Sequence, residues 1–205
     1  MKEPDVTITD YLLALEAFAF AVLIARAATA TPLQRWFVLF FAATAAASLV
    51  GGTVHGFFND SVVLWRLVLV SLGIVSAAAW AIGARLLFTD RVAQIITVSA
   101  WVAFVVYVLV VAFVTDSFSV AIANYLPSTL FLIVAFFVSY HASPAAPLRL
   151  GLGGLLLTLV AAGVQQARIA LHPTYFNHNA LYHLLQAIAL FLIFRAAMFL
   201  TIATP

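Results

Sequence analysis

Residues 178–202 read HNALYHLLQAIALFLIFRAAMFLTI, an apolar stretch with a few polar side chains near its start. It is longer than the roughly 20 residues that an α-helix needs to cross a bilayer. Asn179, His183 and Gln186 are spaced i, i+4 and i+7, which places them on one face of such a helix. Polar side chains are costly inside a membrane and usually serve a function there. The stretch therefore predicts a transmembrane helix whose polar face points into a helix bundle.

Six more apolar segments of comparable length precede this one, separated by short connections. Of all residues, 66% are hydrophobic and 8% are charged, a composition typical of polytopic membrane proteins. We predict an all-α, seven-transmembrane-helix bundle that forms a single domain over residues 1–205. The predicted spans are residues 10–29, 35–58, 62–88, 92–115, 117–141, 147–171 and 178–202.

The first segment is followed by small residues, as a signal peptide would be. Its leading sequence MKEPD is net acidic, however, and Glu16 interrupts the apolar core. Neither feature is typical of a signal peptide, so we expect a retained membrane helix.

Composition excludes several functional classes. A net charge of +2, with nine Lys and Arg residues spread along the chain, excludes a nucleic-acid surface. The chain has no cysteine, so a transition-metal site would have to use His, Asp or Glu. Lys2 is the only lysine, so helix seven has no lysine for the Schiff base of a retinal protein.

The basic residues predict the orientation of the bundle. They collect at connections and helix ends on one side of the membrane, which the positive-inside rule makes cytoplasmic. The N-terminus would therefore lie outside and the C-terminus in the cytoplasm. The residues that set this orientation are Arg26, Arg35, Arg85, Arg91, Arg149 and Arg195.

This topology brings His55 to the depth of His183, in the outer half of the bundle. The stretches TVHGFFND (53–60) and FNHNALYHLLQ (176–186) would form two walls of one site. The histidines could hold a metal together with a third ligand, or each could simply be hydrogen-bonded. His178 and His183 are five residues apart, about 140° around a helix, so both reach one ion only if His178 precedes the helix.

Further polar residues would surround this site. Glu16 lies inside helix one and needs a partner at that depth, for which we expect a salt bridge with Arg66 or Arg168. Gln165, Arg168 and His172 fall at i, i+3 and i+7 and predict a polar face on helix six. Glu16, Arg66, Gln165 and Arg168, together with Asn179 and Gln186, are expected to support the site or to contact a ligand, whereas His172 is expected at the membrane interface.

Two features near His55 also have structural explanations. Ser48, Gly51 and His55 share a stripe of helix two, where small residues let a neighbouring helix or a ligand approach. Asp60 or Ser61 would cap the start of helix three.

The motifs resemble those of the seven-helix membrane hydrolases, the superfamily that includes alkaline ceramidases and the progestin and adipoQ receptors. Its members have Ser-x3-His late in helix two, an aspartate at the start of helix three, and His-x3-His at the start of helix seven. His55 matches the helix-two ligand and His183 matches the second helix-seven ligand. Gly51 and Asn179 stand where the family has its serine and its first helix-seven histidine.

The resemblance implies a zinc-dependent hydrolase that acts on an amide or ester of a membrane lipid. His55, His178 and His183 would bind zinc, Asp60 would orient the metal-bound water or take its proton, and Ser48 would help to stabilise the oxyanion. One alternative is a haem-binding electron carrier with His55 and His183 as axial ligands. Another is a noncatalytic sensor or assembly subunit, in which the polar network stiffens the bundle or binds a small ligand.

Overall fold

The computed structural model of the chain describes residues 1–27, 31–172 and 174–203, with the backbone alone for Ala203. These residues form seven helices, and each is long and apolar enough to cross a membrane. The predicted all-α, seven-helix architecture is therefore confirmed. The helices are α1 (Pro4–Ala25), α2 (Pro32–Phe57), α3 (Val62–Leu87), α4 (Asp90–Phe113), α5 (Phe118–Ala142), α6 (Ala146–Gln166) and α7 (His178–Ala203).

Six of these helices form a ring. In order of contact the ring runs α1, α2, α3, α5, α6 and α7, and α7 returns to α1. α4 packs against α3 on the outside of the ring. The centre of the bundle is therefore bordered by six helices, and α4 takes no part in lining it.

α1 and α2 pack closely because α2 presents glycines to α1. A Cβ at Gly52 would lie 3.0 Å from the Cβ of Asp10, and one at Gly56 would lie 2.9 Å from Cγ2 of Thr7. Any larger residue would push the two helices apart. The small residues of α2 thus serve helix packing.

α6 and α7 approach each other in the same way. A Cβ at Gly154 would lie 2.6 Å from the carbonyl oxygen of Ala189, and one at Gly151 would lie 2.5 Å from the Cβ of Ala196. This contact leaves no space between the two backbones at the middle of the helices.

Aromatic rings fill the middle of the bundle. Phe20 of α1 stacks on Phe194 of α7 with ring centroids 4.2 Å apart, and the ring of Phe41 meets Phe20 edge-on at 5.6 Å. Such pairs stabilise a fold by about 0.5–1.5 kcal/mol beyond the burial of their surface. They fix α1, α2 and α7 relative to one another in the middle of the bundle.

Two helix boundaries differ from the predicted ones by five residues or more. α1 begins at Pro4 rather than at residue 10, because proline in the first turn and the acidic Asp5 both favour a helix start. α6 ends at Gln166 rather than at residue 171, where Arg168 adopts a left-handed conformation with φ of 55°. The N–H of Ile169 donates to the carbonyl of Val164 at 3.1 Å, which closes a Schellman turn.

The early end of α6 overturns one prediction. Arg168 and His172 do not continue a polar face of helix six, because the helix stops before both residues. Apolar character extends to Leu171 in the sequence, but the turn at Arg168 redirects the chain.

Candidate functional site

The ring encloses a cavity of about 450 Å³. It lies near the end of the bundle at which α1, α3, α5 and α7 begin, here called the N-terminal end. Side chains from all six ring helices line it. Small-molecule sites in proteins span roughly 300–1,000 Å³, so this cavity has room for a ligand.

The lining changes from polar to apolar with depth. His55, Asn179 and Gln166 line the cavity from positions within one turn of their helix ends. Val75 and Leu190 line it from about 18–20 Å along α3 and α7, at a rise of 1.5 Å per residue. The cavity therefore has a polar mouth and a mainly apolar interior, with Thr44, Ser48, Thr158 and Gln186 among the polar side chains at greater depth.

Asp10 and His183 form a buried pair between α1 and α7, with 4% and 8% of their surfaces exposed. Oδ1 of Asp10 lies 3.3 Å from Nε2 of His183. Oγ1 of Thr9 lies 3.1 Å from Nδ1 of His183, and the same hydroxyl lies 2.8 Å from the carbonyl oxygen of Asp5. Both ring nitrogens of His183 are therefore engaged.

Gly51 leaves room for the Asp10 carboxylate. A Cβ at Gly51 would lie 3.1 Å from Oδ2, the carboxylate oxygen that is not paired with His183. Gly51, Asp10 and Ser48 all line the cavity. The glycine that stands in place of the hydrolase serine thus makes space for an acid of α1.

A second histidine–carboxylate pair lies at the mouth. Nδ1 of His55 is 2.5 Å from Oε2 of Glu3, and the side chains are 26% and 39% exposed. His55 and His183 line the same cavity. The stretches around these histidines, far apart in sequence, thus contribute to one site.

The start of α7 is fixed by hydrogen bonds that also orient His183. The side-chain oxygen of Asn177 accepts from the N–H groups of Asn179 and Ala180 at 2.9 and 3.1 Å, as an N-cap does. Oδ2 of Asp5 accepts from the N–H of Asn177 at 2.9 Å. These bonds tie α7 to the first turn of α1 and so place His183 against Asp10.

Four amide side chains line the cavity on α6 and α7: Gln165, Gln166, Asn179 and Gln186. Nε2 of Gln165 donates to Oδ1 of Asn179 at 3.3 Å. Nε2 of Gln186 donates to Oγ1 of Thr158 at 3.4 Å, but Oε1 of Gln186 is buried without a hydrogen-bond partner in the described part of the chain. A buried acceptor without a partner costs roughly 1–3 kcal/mol, so a donor inside the cavity would be stabilising.

Two residues predicted to take part in catalysis or metal binding lie elsewhere. His178 is the first residue of α7 and is not among the side chains that line the cavity. The side chain of Asp60 is 97% exposed and lies 3.6 Å from Nζ of Lys2. Ser61 caps α3 instead, since its hydroxyl oxygen accepts from the N–H of Leu64 at 3.4 Å.

The expected salt bridge of Glu16 is absent from the described residues. Arg66 pairs with Asp116, with Nε and Oδ2 3.6 Å apart, and Arg168 is exposed beyond the end of α6. The prediction was wrong because α1 packs on α2 and α7, and because Glu16 lies much further along its helix than Arg66 does. Oε2 of Glu16 is buried without a hydrogen-bond partner in this part of the chain.

The site residues do not fit the predicted zinc centre. Within residues 1–27, 31–172 and 174–203, no three His, Asp or Glu side chains come together in a group that could hold a metal ion. Both nitrogens of His183 are occupied by Thr9 and Asp10. A histidine in this arrangement has no free nitrogen for zinc or for a haem iron.

The sequence did not identify Asp10, Thr9 and Glu3 as parts of the site. With helix one predicted to start at residue 10, Asp10 fell at the helix start, where an acid serves as a cap. Pro4 followed by Asp5 was the signal for an earlier start. That start moves Asp10 almost two turns into the helix, to the level of His183.

Comparison with known proteins gives a family without a described function. No curated protein and no solved structure matches the chain, so its resemblance to the seven-helix hydrolases stays a prediction. The model of a family of unknown function, DUF6962, matches residues 6–201. This match covers all seven helices almost completely, and the chain belongs to that family.

Proposed function

We propose that the protein is a membrane-embedded sensor that binds a small amphipathic molecule in the cavity at the N-terminal end of the bundle. The observation that carries this proposal is the lining of the cavity. Its apolar interior suits a hydrocarbon chain, and its polar mouth suits a head group. The unpartnered acceptor of Gln186 favours a ligand that carries a hydrogen-bond donor.

The ligand source that fits this cavity is the membrane itself. An amphipathic lipid-like molecule concentrates in the bilayer, where the ring of helices meets it directly. A noncatalytic role needs only shape, apolar surface and a few placed polar groups, all of which the lining supplies. A zinc centre would require three ligands, which the described residues do not bring together, and a haem iron would require a nitrogen of His183 that Thr9 and Asp10 do not contact.

The position of the site suggests how binding would be sensed. Asp10 and His183 both line the cavity and hold α1 against α7. A head group that contacts Asp10 therefore affects the contact between these two helices. We infer that ligand binding changes the packing of α1 on α7, and that the mouth faces the outside of the membrane, as the arginine distribution predicts.

The test is to identify what purifies with the protein. Wild-type protein in lipid nanodiscs is expected to retain an amphipathic molecule that solvent extraction and mass spectrometry detect. Gly163 of α6 lines the cavity, and an added Cβ there would meet nothing within 4 Å. Gly163→Phe should therefore occupy the cavity and reduce the retained ligand by about tenfold, a loss of about 1.4 kcal/mol.

Gly153→Phe is the matched control. Gly153 lies on the same helix and is equally open, but it does not line the cavity. It should retain the ligand as wild type does. Equal amounts of every extracted amphiphile in all three proteins would overturn the proposal.

A further inference from the structure

The ionisable residues that line the cavity are an acid and two histidines: Asp10, His55 and His183. No lysine or arginine is among the lining residues that the structure describes. At this end of the bundle Lys2 pairs with Asp60 and Arg66 pairs with Asp116, each at 3.6 Å, and Arg168 is exposed beyond the end of α6. The described lining thus offers a carboxylate and two imidazoles but no lysine or arginine.

Around Asp10 and Gln186 the site has more hydrogen-bond acceptors than donors. Oδ2 of Asp10 lies beside Gly51, while Oδ1 is the oxygen paired with His183. Gln186 follows His183 by three residues, so it lies on the same face of α7 about 4.5 Å deeper. Its Oε1 is buried and unpartnered, and the residue is 6% exposed.

We propose that the ligand of the cavity is an amphiphile with a protonated amine as its head group. The ammonium group donates to Oδ2 of Asp10 and to Oε1 of Gln186, and the hydrocarbon chain runs toward Val75 and Leu190. This inference rests on the proposed function, because it names the class of molecule that the same cavity takes.

Other head groups satisfy the site less well. A carboxylate or a phosphate would lie beside Asp10 without a lysine or an arginine to balance its charge, which is strongly unfavourable in a buried site. An alcohol has a single donor and leaves one of the two acceptors unpaired. An ammonium group supplies three donors and the charge that an ionised Asp10 requires.

The test compares three ligands of equal chain length, dodecylamine, dodecanol and dodecanoate. Their dissociation constants are measured by calorimetric titration into nanodiscs of zwitterionic lipid that contain wild-type protein, Asp10→Asn or Gly163→Phe, with empty nanodiscs as the reference for partition. Wild type should bind the amine at least about tenfold more tightly than the other two. Asp10→Asn should remove most of this preference for the amine.

The outcomes separate this inference from the proposed function. If dodecanol or dodecanoate binds wild type as tightly as the amine does, and Gly163→Phe abolishes that binding, the cavity binds ligands but the amine assignment is wrong. An amine preference that survives in Asp10→Asn also overturns the assignment. If none of the three binds beyond partition, or if Gly163→Phe binds them as wild type does, the proposed function itself fails.

Discussion

Gln186 and Gln34 are two buried glutamines with opposite hydrogen bonding. Gln34 is 5% exposed, and its Nε2 donates to the carbonyls of Ile24 and Ala27 at 2.7 and 3.0 Å. Gln186 is 6% exposed, and its Oε1 has no partner in the described residues. The first glutamine serves the fold by capping the end of α1, whereas the second leaves a buried acceptor without a partner in the described residues.

This contrast predicts different effects of the same substitution. Gln34→Met should lower the free energy of unfolding by about 1–3 kcal/mol, because two buried carbonyls lose their donor. Gln186→Met should change it by less than about 1 kcal/mol, because the lost bond to Thr158 is long and an unpaired acceptor is removed with it. Thermal unfolding of the ligand-free protein in detergent measures both values. A loss for Gln186→Met as large as that for Gln34→Met would show that Gln186 serves stability.

Single residues of the site were partly predictable from the sequence. The spacing of Asn179, His183 and Gln186 placed them on one face of α7, and all three line the cavity. The partner of His183 could not be read in this way, because Asp10 lies on another helix, 173 positions earlier in the chain, and no local pattern links the two. His178 was expected to reach the site only if it preceded the helix, and Asn177 caps α7 and makes His178 its first residue.

At the scale of helices, the close packing of α6 on α7 depends on glycines of α6 that face α7. A Cβ at Gly154 would meet the backbone oxygen of Ala189 at 2.6 Å, which a side-chain rotation cannot relieve. A Cβ at Gly153, one residue earlier, would meet nothing within 4 Å. The two neighbouring positions therefore provide a matched pair for testing the contact between the helices.

Gly154→Ala should destabilise the protein by about 1–3 kcal/mol, because overpacking forces α6 away from α7. Gly153→Ala should leave stability unchanged or raise it by up to about 1 kcal/mol through the higher helix propensity of alanine. Thermal unfolding of both variants alongside wild type measures these two changes in stability. Equal stability of the two variants would contradict the close contact of α6 with α7.

The sequence predicted the existence of all seven helices but misplaced some of their ends. Apolar runs long enough to span a membrane identify transmembrane helices clearly, because soluble proteins rarely contain them. The ends of α1 and α6 are set by Pro4 and by the left-handed turn at Arg168. A non-glycine residue in that conformation is uncommon, so the sequence carried little warning of the early end of α6.

At the scale of the whole molecule, the side-by-side order of the helices was beyond the sequence. Seven spans of similar composition can be arranged in many ways, and nothing in the apolar pattern indicates that α4 lies outside the ring. For this reason Glu16 was expected to reach Arg66, although α1 packs on α2 and α7. The order of the helices along the chain predicted which residues lie at the same depth in the membrane. It could not predict which helices are in contact.

Orientation in the membrane is testable because the chain has no cysteine. Ser117 and Ser143 are exposed and flank the two ends of α5. Ser117→Cys, at the N-terminal end of the bundle, should react with a membrane-impermeant maleimide on intact cells. Ser143→Cys should react only after the membrane is opened. The reverse pattern would place the mouth of the cavity on the cytoplasmic side.

Trp65 lies in the wall of the cavity, and its fluorescence reports most directly on whether a ligand enters. With Trp36, Trp80 and Trp101 replaced by Phe, Trp65 becomes the sole tryptophan of the chain. A long-chain amine brominated on its chain, added to nanodiscs of this protein, should quench Trp65 along a saturable curve that Gly163→Phe abolishes and Gly153→Phe preserves. Quenching that rises linearly with the amine, to the same extent in all three proteins, would show partition into the bilayer and would contradict ligand binding in the cavity.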